Sequence, residues 1–438
     1  CSWNLDETSR PKRWFCRFSF NKKIKIIDLG GYMANEKKGP LKGIKVIDFT
    51  HVLAGPFGSM ILSDLGAEVV NIAKVDAKDD SRGSGPFVNG ISTYRYSLER
   101  GKKSIQVDLK NPEGIKLVKE LIDKADIVTE NFSPGTMAKL GLDYEELSKT
   151  NPRLIFASCS GFGQTGPYSS RGALDVIAQG FSGFMSITGD PSGGPMRAGS
   201  SIGDTLGGTY MAMGIMSALY ERELSGKGQK IDISMVESVI YNLENAIIRY
   251  SATGQVPERV GARHPLTTPF QAFETKDGWI VVAGVRDWEA FCVVLGIEEL
   301  ATDERFDTNP KRTENHSILE PILSNVIKQH NSDYWFEVLE GIALTGPINN
   351  IEQMVNDPHI KARNTIISLP VPGEIEKEVM VSNTPVRLSR TPAEITERAF
   401  VVGEHTREIL QEWLGLNEKS TLEMEEKGIV KSSDNQFI

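Results

Sequence analysis

The chain has 438 residues, 39% of them hydrophobic and 24% charged, a composition that excludes a disordered chain and allows a large core with a smaller lobe. Its net charge of -9 excludes a basic nucleic-acid-binding surface, although a local basic pocket for a phosphorylated small molecule stays open. No apolar run approaches the roughly 20 residues of a membrane span, so a soluble protein without membrane contact is expected.

The first forty residues do not join the later pattern. Their basic stretch (Arg10, Lys12, Arg13, Arg17, Lys22, Lys23, Lys25) suits a matrix-targeting presequence, against which stand Asp6, Glu7 and Asp28. Alternatively the segment is extraneous, because Met33 opens a clean run, MANEKKGPLKG, directly before the first strand. The expected location is intracellular, either mitochondrial or cytoplasmic, and residues 1–38 are set apart as an irregular extension.

From residue 44 onward, short β-rich runs alternate with helical ones, the signature of a doubly wound α/β sheet. IKVIDFT (44–50) predicts a buried strand, 54–66 a helix and EVVNIAKV (68–75) the next strand. SIQVDL (104–109) predicts another, followed by a helix through Lys124 with Asn111 as N-cap and Pro112 at the first position. DIVTENF returns to strand, Asp143 caps a short helix, and RLIFASCS (153–160) is a strand. Two small-residue helices are expected at 173–187 and 203–224, the second with Gly207, Gly208 and Gly214 placed for close helix contact. QKIDISM (229–235) predicts a strand and then a long helix to Tyr250.

The character changes after SATGQ. PFQAFETKDGWIVVAGV (269–285) predicts a hairpin turning at Asp277-Gly278, and helices fill much of 287–340. The tail from about 365 predicts a second hairpin and two amphipathic helices, 403–414 and 419–427. The expected organisation is a large domain over 39–250, a smaller α+β domain over 255–345, a return to the large domain over 350–430, and a tail, 431–438.

The cysteines (Cys1, Cys16, Cys159, Cys292) form no CxxC pair and the six histidines are scattered singly, so reduced thiols and no structural metal are expected. GFGQTG (161–166) is a literal G-x-G-x-x-G straight after a strand. A dinucleotide fingerprint must open a helix, yet PYSSRG continues as turn, which argues against an NAD-dependent oxidoreductase.

Read together, these segments resemble the class III CoA-transferase family. The matching stretches include LKGIKVIDFTHVLAGPFGSMILSDLGAEVV, DDSR (79–82), KKSIQVDLKNPEG, ENFSPGTMAKLGLDYEEL, SGFGQTGP, GALDVIAQGFSG, GKGQKIDISM, GPINN (346–350), NDPHI and GEHTREIL. The resemblance implies a Rossmann-like large domain with a small domain, an interlocked homodimer, and transfer of CoA between carboxylic acids with acyl-CoA thioesters as substrates and no permanently bound cofactor. It also implies that Asp175, in GALDVIAQ, is the nucleophile, forming first a mixed anhydride and then an aspartyl-CoA thioester. On its own, that residue reads as a helix-cap or first-turn aspartate whose nearby N–H groups favour the anion.

Family positions point to Lys74, Arg82 and Lys139 for the CoA phosphates and to Asn131 and Phe132 for the walls of the CoA site. Each of the three cations alone reads more often as a solvated charge, and a lysine lacks the bidentate geometry of arginine. His51 and Leu53 fall on the loop that approaches the active site in relatives. Formyl-CoA transferases have Gln where Leu53 stands, Lys where Ser160 stands, and a four-glycine run where this chain has GARHP (261–265), which argues against oxalate. The stretches TPFQAF and TGPINN look most like the succinyl-CoA:glutarate enzyme, so a dicarboxylate acceptor is expected, with Arg263 for its remote carboxylate. The rivals are an α-methylacyl-CoA racemase, whose relatives place His where Leu174 stands, and a non-enzymatic CoA-binding protein.

Overall fold

β-branched, apolar runs bury both of their faces most readily in a parallel sheet covered by helices, and this chain does so. The computed structural model describes residues 38–75, 77, 85–395 and 397–433; the N-terminal extension and Arg82 lie outside them. In chain order the strands are β1 (Lys45–Asp48), β2 (Glu68–Ala73), β3 (Phe87–Val88), β4 (Ile91–Ser92), β5 (Lys103–Val107), β6 (Ile127–Glu130) and β7 (Ile155–Ser160). They continue as β8 (Lys230–Ser234), β9 (Gln271–Glu274), β10 (Trp279–Ala283), β11 (Leu344–Pro347), β12 (Ile366–Val371), β13 (Glu374–Ser382) and β14 (Val430–Lys431).

The large sheet has the order β14-β5-β2-β1-β6-β7-β8. Its strands run parallel except β14, which closes one edge antiparallel to β5. Successive residues of a strand face opposite ways, and the two faces carry separate cores. Ile47, Val70, Ile105, Val128 and Phe156 pack on one face with the helix Pro112–Ile122 and, from the far end of the chain, Ile409, Leu410 and Trp413. Val46, Val69, Ile127 and Ile155 pack on the other, under the helices Ala54–Asp64 and Ile202–Ser225. The mixed α/β class and the doubly wound sheet expected from the sequence are therefore present.

Those last two helices touch backbone to backbone. A Cβ on Gly208 would stand 2.5 Å from the Ala54 carbonyl oxygen and 2.8 Å from the Gly58 nitrogen, which is the packing reason for glycine inside a helix. Residues 271–347 hold a further core, in which Phe273, Ile280, Phe291 and Trp335 are buried beneath the sheet β11-β10-β9. The expected hairpin turns at Asp277-Gly278 as β9 and β10.

Two expected helices are interrupted. The stretch 173–187 forms Asp175–Phe181 and Phe184–Ile187, separated at Gly183 with φ 89°. The helix expected up to Tyr250 is divided into Met235–Tyr241 and Ala246–Thr253 by Glu244 at φ 56°. Among the described residues, no helix is long and apolar enough to cross a membrane.

Candidate active site

The strand order reverses direction between β1 and β6: from β1 the chain proceeds outward through β2 to β5, then returns to the other side of β1. The carboxyl ends of two such strands leave a crevice between diverging loops, which is where open α/β sheets bind ligands. Here the loops are tied together by Asn131, just after β6. Its Oδ1 accepts the His51 N–H at 2.9 Å and its Nδ2 donates to the His51 carbonyl at 2.7 Å.

The exit of β1 is fixed from below. Asp48 is fully buried, and its Oδ1 accepts from the Thr50 backbone, the Thr50 hydroxyl and the Thr129 hydroxyl while Oδ2 accepts from Ser59. Lys102 supplies the counter-charge at 3.5 Å. Above this platform Val52 sits at φ 70°, an unfavourable conformation for a β-branched residue and one that recurs at functional sites.

Two adjoining cavities open on either side of this clasp, both lined by His51, Val52 and Phe132. One, of about 180 Å³, lies over β1 and β2 and adds Lys74, Tyr94, Arg95 and Phe400. The other, of about 320 Å³, lies over β1, β6 and β7 and adds Leu53, Asn131, Ser160, Arg171, Leu174 and Asp204. The second matches the size of a small-ligand site. Ser160 Oγ, at the end of β7 in a residue only 8% exposed, has no hydrogen-bond partner among the described residues.

Asp175 follows Leu174 as the first residue of its helix and is 7% exposed. Its carboxylate is held both by a second helix and by its own. Oδ1 accepts the Gly203 N–H at 2.8 Å, a free donor in the first turn of Ile202–Ser225, while Oδ2 accepts from Gln179 Nε2 at 2.7 Å and faces Arg197 at 3.4 Å. Gln179 is in turn locked by the Ala198 N–H. The loop before this helix folds back because Gly161 lets Ala173 approach: a Cβ there would stand 2.3 Å from the Ala173 Cβ. GFGQTG thus closes a loop and opens no helix, since the next helix begins at Asp175.

The electrostatics around the larger cavity are set by burial. Asp204 is pushed up to about 6, first by desolvation and then by the Asp175 charge. Glu130 is also raised by burial, against hydrogen bonds from Ser158 and the Phe132 N–H that pull the other way. Burial pushes the Cys159 thiol up to about 12, so this cavity-lining sulfur is an inert thiol and no nucleophile.

The residues singled out from the sequence separate into groups. His51, Leu53, Asn131 and Phe132 meet around the larger cavity, and Lys74 lies exposed at the end of β2 in the smaller one. Lys139 is an exposed residue ending the helix Thr136–Lys139 and lines neither. Arg263 pairs through its backbone with Gln271, beside the third core, and is likewise absent from both cavity walls of its own chain. Arg171, stacked 3.9 Å over the Tyr168 ring, and Asp204 were not singled out. Neither has a local signal: only the fold brings residues 171 and 204 to the loops after β1 and β6.

Comparison with known proteins places this geometry. The family model of CoA-transferase family III matches residues 41–406. An acetyl-CoA:oxalate CoA-transferase of Acetobacter aceti is 43% identical over 80% of this chain and 90% of its own length. A succinate–glutarate CoA-transferase of Agrobacterium fabrum is 39% identical over 86% and 96%. The crystal structure of a CAIB/BAIF family protein from Brucella suis superposes with a TM-score of 0.77 at 36% identity, covering 86% of this chain and all of that one.

Proposed function

The chain belongs to CoA-transferase family III, and from that premise we propose that it moves CoA from an acyl-CoA donor such as succinyl-CoA to a dicarboxylic acid through a covalent intermediate on Asp175. The observation that carries the reading is the Asp175 carboxylate itself: buried, immobilised by Gly203, Gln179 and Arg197, and one residue beyond the cavity wall at Leu174. A fixed carboxylate is a competent nucleophile toward a thioester. Attack gives an aspartyl mixed anhydride and releases CoA, the CoA sulfur attacks the aspartyl carbonyl and releases the first acid, and the incoming carboxylate repeats the sequence in reverse. Each exchange replaces one acyl bond with a similar one, so no ATP is consumed.

The smaller cavity suits the nucleotide end of CoA, with Lys74 as a cation and Phe132 between the cavities, while Lys139 and Arg82 serve the phosphates. For the acid, the relatives named for glutarate and for oxalate both act on acids with two carboxylates, which supports the dicarboxylate class, while the departures at Leu53, Ser160 and GARHP favour an acid other than oxalate. Arg171 is the cation that the larger cavity offers that group, and Arg263 would have to act from another chain. A homodimer is supported by the apolar side chains left outside: Ile177, Phe181, Tyr220, Leu224, Tyr241 and Ile248 are each 47–80% exposed on four helices, more than a soluble monomer usually leaves bare.

The test is to incubate the protein with succinyl-CoA and a panel of acids, then trap it with hydroxylamine or borohydride. New acyl-CoA and a modification mapped to Asp175 are expected. Turnover that leaves Asp175 unmodified would sink the covalent reading.

A further inference from the structure

Within the transferase reading, the geometry points to Asp204 as a second catalytic residue, the acid–base group that carries the proton of the CoA sulfur. Asp204 lies in the wall of the larger cavity, half-buried among Cys159, Leu174 and Met235. Among the described residues its carboxyl group has neither hydrogen-bond donor nor cationic partner, although a buried carboxylate ordinarily acquires one. The residue before it, Gly203, gives its N–H to Asp175 Oδ1 at 2.8 Å, so the first turn of one helix holds Asp175 and carries Asp204. Ser160 is the second orphan: its buried hydroxyl lines the same cavity without a hydrogen-bond partner among the described residues. Two polar groups left unsatisfied at one cavity wall are groups whose partners arrive with the substrate.

The electrostatic setting suits a proton carrier. The charge acting on Asp204 is that of Asp175, Cys159 of β7 lies within reach of Asp204, and Arg171 and His51 share the cavity wall with it. Asp175 is the neighbour that raises it, by charge, in addition to burial. That relation toggles during the reaction. Below about pH 6, Asp204 retains its proton while Asp175 is an anion. Once Asp175 is acylated its charge is gone, and Asp204 becomes the stronger acid.

The balance is complete at each step. The Asp175 carboxylate adds to the thioester carbonyl, the C–S bond breaks, and the departing sulfur takes the Asp204 proton. This leaves the mixed anhydride, neutral CoA thiol and an Asp204 carboxylate, so the pair keeps one negative charge through this step. In the next step the Asp204 carboxylate removes the thiol proton as sulfur attacks the aspartyl carbonyl, and the free acid anion leaves. Without that proton the sulfur, whose thiol ordinarily titrates at about 8.5, would depart as a thiolate carrying the charge that Asp175 gives up.

The experiment uses the full chain with succinyl-CoA and radiolabelled succinate, an exchange that needs no knowledge of the natural acceptor. Asp204→Asn is expected to slow exchange about 100-fold with little change in KM for succinyl-CoA. In the wild type, kcat/KM is expected to fall about tenfold per pH unit above about 6, a limb that Asp204→Asn removes. The pH profile reads the wild type alone, so it decides the matter even if the variant folds poorly. Exchange by Asp204→Asn within threefold of wild type, or a wild-type profile with no such limb, overturns the assignment and leaves the transferase reading standing. A wild type that neither exchanges label nor becomes modified at Asp175 overturns both.

Discussion

Asp204 carries a stability cost that its position in the cavity makes necessary. Its carboxyl titrates near 6 in the folded chain against an ordinary value of 3.8, because burial and Asp175 disfavour the anion. A raised folded value means that stability is complete below about 3.8 and is lost as the pH climbs to about 6, above which the full penalty persists. Solvent on the cavity side trims that penalty to about 1–2 kcal/mol. Asp204→Asn is therefore expected to raise the melting midpoint by about 2 °C at pH 7.5, with the gain shrinking toward pH 4, as calorimetry would register. A lower midpoint at pH 7.5 would contradict this account. At this scale the sequence was legible where a residue acts on its near neighbours: Asn111 and Asp143 cap their helices as their spacing foretells. It was not legible where the partner is remote. Asp175 reads as a cap of its own helix, yet it takes its N–H from Gly203, 28 residues away along the chain.

At the scale of elements, the β-branched runs and their bounding turns located every strand of the large sheet except β14, whose two residues carry no periodicity. The interrupted helices were illegible for a related reason. Gly183 and Glu244 adopt positive φ only because the segments beyond them must turn toward different neighbours, and local propensity does not report such a demand. The glycines of the helix Ile202–Ser225 were legible as packing residues, and they set a sharp expectation. Gly208→Ala forces a methyl to within 2.5 Å of the Ala54 carbonyl, and the facing atoms are backbone that cannot rotate aside. A loss of about 3 kcal/mol in denaturant titration is expected, together with reduced CoA exchange, because the displaced helix Ala54–Asp64 begins at the Val52–Leu53 loop. A neutral Gly208→Ala would show that the two helices separate more easily than their contact implies.

For the whole molecule, the apolar residues outside the helices Asp175–Phe181, Ile202–Ser225 and Ala246–Thr253 were not legible as a surface. In the sequence they look like any core-facing stripe, and only the fold shows which side of each helix faces the sheet. Light scattering is expected to give twice the chain mass. Tyr220→Glu combined with Ile248→Glu, at positions 72% and 63% exposed, is expected to lower that mass toward one chain. A wild type that scatters as a single chain at micromolar concentration would exclude the dimer.

The core beneath the sheet joins residues that the chain supplies at opposite ends. Ile47, Val70, Ile105, Val128 and Phe156 share it with Ile409, Leu410, Trp413 and Val430. At ribosomal rates of about 5–20 residues per second, the later group emerges roughly 15–50 s after Phe156. Throughout that interval one face of a nearly complete parallel sheet lacks part of its cover, and the edge of β5 waits for β14. Nascent chains are therefore expected to be more aggregation-prone than the finished fold, and co-expressed chaperones to raise the soluble amount recovered from a cell.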